Sequence, residues 1–164
     1  MNFIPYISDK YGIEISYPEG WIGIENQKDL SASDPTFVYF SAAEPNPNNT
    51  EAMVSIGVIG ATKELNMSLD KYIQGNIKNL RNADSNFKLL QSKRMENFLG
   101  DKDKPAHLLV YNSSGGWTQY FLVIAGRSLI QGSVYYIIMY RVGSKKYQRY
   151  LPTVEQMIST FRIL

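Results

Sequence analysis

Residues 105–142 hold three long apolar segments in direct succession, 105–113, 117–130 and 133–142, separated only by Ser114-Gly115-Gly116 and Gln131-Gly132. Links this short make hairpins and are too short for the crossover that a parallel pair requires, so the three segments read as an antiparallel meander. Tyr120-Phe121-Leu122-Val123-Ile124 and Val134-Tyr135-Tyr136-Ile137-Ile138-Met139 are apolar at odd and even positions alike. A strand with one wet face alternates, and these do not. The middle of the sheet is therefore expected to be covered on both faces.

Two covers are legible. Leu69, Tyr72, Ile73, Ile77 and Leu80 form one apolar stripe, predicting a helix over 68–81. Asn66 or Ser68 is placed to cap it, and Asp70 stands in the first turn, where the helix dipole favours a carboxylate. Gly75 interrupts the stripe at a cost of ~1 kcal/mol against alanine and reads as a close packing contact. The second cover is predicted over 152–161, where Val154, Met157, Ile158 and Phe161 fall at i, i+3, i+4 and i+7, with Pro152 in the first turn.

Earlier in the chain, 13–17 and 21–25 read as strands joined in a hairpin by Pro18-Glu19-Gly20. Segments 37–43, 53–61 and 87–98 read as further strands, and the Pro- and Asn-rich stretch 44–50 as an exposed loop. The expected architecture is α+β: an antiparallel β-sheet of about six or more strands, covered by helices on both faces as an α/β/α sandwich. At 164 residues the chain reads as one domain, 1–164, with enough length for a sizeable core.

Little in the sequence commits to chemistry. The chain has no cysteine, which removes disulfides, thiolate catalysis and cysteine-zinc sites, and His107 is its only histidine. His107 falls in a strand-like run and reads as a sheet histidine; with Asp101 and Asp103 it makes the one candidate divalent-cation site. No Gly-rich phosphate loop occurs. Glu96, Asp101 and Glu155 are the carboxylates that a hydrolase would have to use, and none has a visible pairing partner. The expectation is a protein that is not an enzyme and carries no cofactor.

One cluster stands apart. Arg141, Lys145, Lys146, Tyr147, Arg149 and Tyr150 interleave cations with aromatic rings between the last strand and the last helix, as surfaces for acidic proteins or anionic lipids do. A net charge of +2 and a pI near 8.7 are too mild for nucleic acid. The charge is unevenly spread: residues 1–60 carry two basic and eight acidic side chains, a net of −6, and residues 61–164 a net of +8. Such a split either marks two differently charged sides or cancels where the halves interleave in one sheet.

Several stretches, in order, resemble the PsbP-like family. Tyr11-Gly12-Ile13-Glu14-Ile15-Ser16-Tyr17-Pro18-Glu19-Gly20-Trp21 is similar to that family's opening glycine, apolar strand and Pro-x-x-Trp. Ser68-Leu69-Asp70-Lys71-Tyr72 is similar to its helix start; Leu99-Gly100, Pro105-Ala106 and Tyr111 to a following strand. Tyr135-Tyr136 and Ile158-Ser159-Thr160-Phe161-Arg162-Ile163 resemble its tyrosine strand and its serine-phenylalanine ending. The resemblance covers nearly the whole chain. It implies a sheet sandwiched by helices and a non-catalytic accessory, assembly or binding role with a protein partner. It points to a prokaryotic, non-photosynthetic member. Many such members are exported or lipid-anchored, which implies an extracytoplasmic location with the signal or anchor absent from this chain. A cytoplasmic chaperone or adaptor of the same fold is the alternative.

Overall fold

Apolar runs without alternation need cover on both sides, and the tertiary structure supplies it. The structure, a computed structural model, describes residues 1–31, 33–44, 46, 48–60, 68–99, 105–128 and 132–164. The meander is present: β7 (Ala106–Ser113), β8 (Trp117–Ser128) and β9 (Gly132–Gly143) are consecutive antiparallel neighbours. With β3 (Ile22–Glu25), β4 (Thr36–Ser41), β5 (Met53–Gly60) and β6 (Lys88–Met95) they form a seven-stranded sheet in the order β3-β4-β5-β9-β8-β7-β6. Every pairing in it is antiparallel. A second sheet of three strands, β1 (Phe3–Ser8), β2 (Ile13–Pro18) and β10 (Arg162–Ile163), has the order β1-β2-β10.

The two parities of β9 divide the core. Tyr136, Ile138, Tyr140 and Val142 face the three-stranded sheet, where Ile13 and Ile15 meet them, and the helix α2 (Tyr147–Ser159), which adds Val154, Met157 and Ile158. Tyr135 and Ile137 face the helix α1 (Leu69–Ala83), which buries Leu69, Ile73 and Ile77 against Leu109, Phe121 and Val123. The two-sided cover expected from the meander is thus built of a helix on one face and a helix plus a small sheet on the other.

α1 begins as its sequence indicates. The Ser68 hydroxyl accepts a hydrogen bond from the Lys71 backbone N–H at 3.3 Å, and Asp70 occupies the first turn; Asn66 lies outside the described residues. Gly75 is not a packing contact, since a Cβ built there meets nothing within 4 Å. Gly75→Ala is therefore expected to stabilise the protein by ~1 kcal/mol, seen as a raised urea midpoint at unchanged slope.

Three sequence expectations change, and one strand appears that the sequence did not indicate. Pro18-Glu19-Gly20 does not close a hairpin: β2 pairs with β1 and β10, whereas β3 pairs with β4. The turn instead carries the chain from the small sheet to the large one, and Tyr17 at its start stacks on Phe40 of β4 at 4.5 Å. Residues 3–8, which do not alternate, are held as β1 by backbone pairing with β2, from Phe3 opposite Pro18 to Ser8 opposite Ile13. α2 starts at Tyr147, so Pro152 lies inside the helix rather than in its first turn. Phe161 lies beyond the helix, yet it is fully buried with its ring edge-on to Tyr136 at 5.9 Å.

In the small sheet the charge halves mix, since β10 of the basic half pairs with β2 of the acidic half. In the large sheet they do not interleave: β3 to β5 come from the acidic half and β6 to β9 from the basic half, and the two meet along the β5–β9 pairing.

Candidate binding site at the start of the last helix

The basic cluster stands where this seam ends. β9 stops at Gly143, whose N–H donates to the Thr50 carbonyl at 2.9 Å. The approach is close enough that a Cβ on Gly143 would come within 2.9 Å of the Thr50 side chain, which requires glycine here. Ser144 donates its backbone N–H to the Gly116 carbonyl at 2.8 Å. A 3-10 turn, Ser144–Lys146, then leads straight into α2. The segment expected to be a link is thus helical along most of its length.

The start of α2 has no capping side chain and no acid in its first turn. Glu51, from the loop before β5, supplies the missing negative charge. One carboxylate oxygen accepts from Lys146 Nζ at 2.6 Å, and the other accepts from the Tyr150 hydroxyl. Lys146 Nζ also donates to Thr50 Oγ1 at 2.9 Å. Hydrogen bonds from Lys146 and then Tyr150 hold the Glu51 carboxyl below the usual carboxylate range, against the opposing effect of its desolvation. Burial first, and the carboxylate beside it second, push the Tyr150 hydroxyl up.

Aromatic packing fixes the rest. Tyr147 stacks almost parallel on Tyr140, at 5.5 Å and 8°, and its carbonyl accepts from the Tyr140 hydroxyl at 2.9 Å. Tyr150 meets Trp21 edge-on at 6.2 Å. These contacts explain why the helix starts before Pro152.

The six residues of the cluster therefore separate into three groups. Lys146, Tyr147 and Tyr150 are half-buried and bound into the fold. Lys145 and Arg149 are exposed; the Arg149 guanidinium lies 5.3 Å from the Tyr150 ring centre and forms no ion pair with a described residue. Arg141 lies apart from both groups, on the β9 parity of Tyr135 and Ile137, with its guanidinium 3.8 Å from the centre of the Trp117 ring. Glu51, Thr50 and Trp117 are the participants that sequence reasoning missed. Glu51 is 95 residues from Lys146, and no local pattern announces a contact across that separation.

The other candidates are dispersed. Glu96 is bound to Arg94 Nε at 2.5 Å, and Arg94 bridges onward to Asp70 at 2.7 Å. Glu155 borders a groove of about 540 Å³ with Phe98, Leu99, Tyr120 and Arg162. Tyr120 there is pushed up to about 12 by burial, with Glu155 adding to the effect. Asp101 and Asp103 lie outside the described residues. Among the described residues no three His, Asp or Glu side chains converge on a possible metal position. His107 is a buried sheet histidine, but only partly satisfied: Nε2 lies 2.7 Å from Ser92 Oγ, whereas Nδ1 is buried without a hydrogen-bond partner. Desolvation lowers its pKa, with Asp70 opposing and Arg94 reinforcing the shift.

No protein-family model matches the chain, and no curated protein matches it in sequence. Solved structures do match in fold. Cyanobacterial PsbP (CyanoP) from Synechocystis sp. PCC 6803 superposes with a TM-score of 0.62 at 14% identity, over 99% of this chain and 92% of that one. LpqN of Mycobacterium tuberculosis, described as involved in cell envelope biogenesis, gives 0.59 at 12% identity, over 98% and 89%. The Ran-binding protein Mog1p of Saccharomyces cerevisiae gives 0.57 at 13% identity, over 99% and 96%. The chain has the PsbP-like fold.

Proposed function

We propose that the protein is a non-catalytic binding module that docks an acidic partner protein on the basic end of α2, with Lys145 and Arg149 making the contact. One observation carries this reading. Two exposed cations stand at the positive end of a helix dipole with no acid in its first turn, while the nearby acid, Glu51, is already taken up by Lys146 and Tyr150. Charges placed in this way are poorly arranged for the helix alone and well arranged to attract and orient an anionic surface. The shared fold supports a binding role, since Mog1p is a Ran-binding protein.

The reading includes a location outside the cytoplasm, supported by likeness to LpqN, which is described in terms of the cell envelope. No helix among the described residues is long and apolar enough to cross a membrane. A cytoplasmic adaptor is the second reading, favoured by the likeness to Mog1p; fractionation of the native host separates the two.

The docking reading is tested with Lys145→Glu/Arg149→Glu, which leaves the Glu51–Lys146–Tyr150 contacts in place. Crosslinked partner recovered from the native host is expected to fall at least about tenfold, and wild-type recovery to fall between ~50 and ~300 mM salt, as screened charge pairs require. Equal recovery by the double variant would remove this surface from the interaction.

A further inference from the structure

Arg141 carries an inference of its own. Register places it on β9 between Met53 of β5 and Gln119 of β8, beyond Met139, the last residue of β9 packed into the α1-facing core. Its guanidinium lies over the Trp117 indole at 3.8 Å. Stacking of this kind occupies the flat face of the group and leaves its in-plane N–H fork free. That fork has no hydrogen bond or ion pair to any described residue. It borders a cleft of about 110 Å³ whose wall also includes Ser41, Asn46, Asn49 and Glu51.

Apart from the Trp117 indole N–H, the other polar side chains of that wall are already engaged. Ser41 Oγ donates to the Ala43 carbonyl at 2.5 Å. Asn46 Oδ1 accepts from the Asn48 N–H at 2.9 Å. Asn49 donates to the Glu44 carbonyl at 3.0 Å and accepts from the Glu51 N–H at 2.8 Å. Glu51 is held by Lys146 and Tyr150. Among the described residues the guanidinium is the one cation of the cleft, and it and the Trp117 indole N–H are donors left without a partner there. Its partial burial disfavours the charged form, as expected of a cation lacking its counter-ion.

We propose that this cleft is a carboxylate-binding subsite, in which the Arg141 fork takes a carboxylate of the partner protein while Trp117 backs the guanidinium. This rests on the docking reading above and specifies the chemical group recognised. A single cation matches a monoanion in bidentate geometry. A phosphate dianion would face Glu51 with only one guanidinium to offset it. The volume is that of about four water molecules, room for a carboxylate and the carbons next to it.

The subsite can be tested without the partner. The chain has two tryptophans, so Trp21→Phe assigns the Trp117 indole N–H resonance, and the Arg141 Nε–H resonance gives a second readout. Three probes are titrated: N-acetylglycine for a chain terminus, N-acetyl-aspartic acid α-amide for a side chain, and inorganic phosphate. At least one carboxylate is expected to shift both resonances saturably at about millimolar concentration. Arg141→Gln should weaken this about tenfold or more, the loss of a charge-assisted pair, and Arg141→Lys several-fold, since a point charge lacks the fork. Lys145→Glu/Arg149→Glu should leave probe binding intact.

Whichever carboxylate shifts the resonances more strongly identifies the source. No saturable shift in the folded wild type, a shift that survives Arg141→Gln, or tighter binding of phosphate than of either carboxylate would each overturn the proposal. Probe binding with no effect of Lys145→Glu/Arg149→Glu on partner recovery would sink the docking reading and leave the subsite standing. The converse pattern would sink the subsite alone.

Discussion

Phe161→Ala is expected to destabilise the protein by about 3–5 kcal/mol, the range for removing a fully buried phenylalanine from a core that cannot collapse around the gap. Phe161 is wholly buried and follows α2, with its ring edge-on to Tyr136, itself fully buried. Its backbone N–H is bound to the Ile158 carbonyl at 3.0 Å, and the Thr160 hydroxyl accepts from Ser16 of β2 at 2.8 Å. The ring thus sits where the helix, the small sheet and the large sheet meet, and none of the three can close the void without losing contact with the others. Equilibrium urea unfolding measures the loss. A change under about 1 kcal/mol would show that the core relaxes freely around position 161.

Gly57→Ala is expected to cost about 1–3 kcal/mol or more, although it adds a single methyl group. A Cβ at Gly57 would lie 2.8 Å from the Pro35 carbonyl oxygen and 3.0 Å from its carbon. These are backbone atoms, so no rotamer change relieves the clash. The chain at Pro35 enters β4 at a register shift between Thr36 and Val38, and the Val58 N–H donates to that same Pro35 carbonyl at 3.1 Å. The added methyl therefore strains this hydrogen bond and the β4–β5 register together. Gly60→Ala in the same strand is the control: a Cβ there meets nothing within 4 Å, and its unfolding midpoint should move far less. Equal shifts for the two variants would mean that strand propensity, not the Pro35 contact, sets the cost.

What could be read from the sequence depended on how local its cause was. The meander was legible because its links are too short for anything but hairpins. The α1 stripe and Ser68 cap were legible because their partners lie within a few turns. The false hairpin at 18–20 shows the limit. A turn composition predicts that the chain reverses, but not which strand it then pairs with, and β3 found β4 rather than β2. Pro152 misled for a similar reason. Proline is best placed in a first turn, but Tyr147 and Tyr150 gain enough from Tyr140, Trp21 and Glu51 to start the helix earlier.

The candidate site follows the same division. By itself the sequence determined that six basic and aromatic residues are concentrated between 141 and 150, because that is composition along a line. Only the tertiary structure decided which of them remain available. Glu51, 95 residues from Lys146, takes up Lys146 and Tyr150, Tyr140 takes up Tyr147, and Arg141 stacks on Trp117 at a cleft that Glu51 also borders. The physical reason is that a side chain's availability depends on what packs against it. Here the β5–β9 pairing brings distant residues of opposite charge to the same end of the sheet.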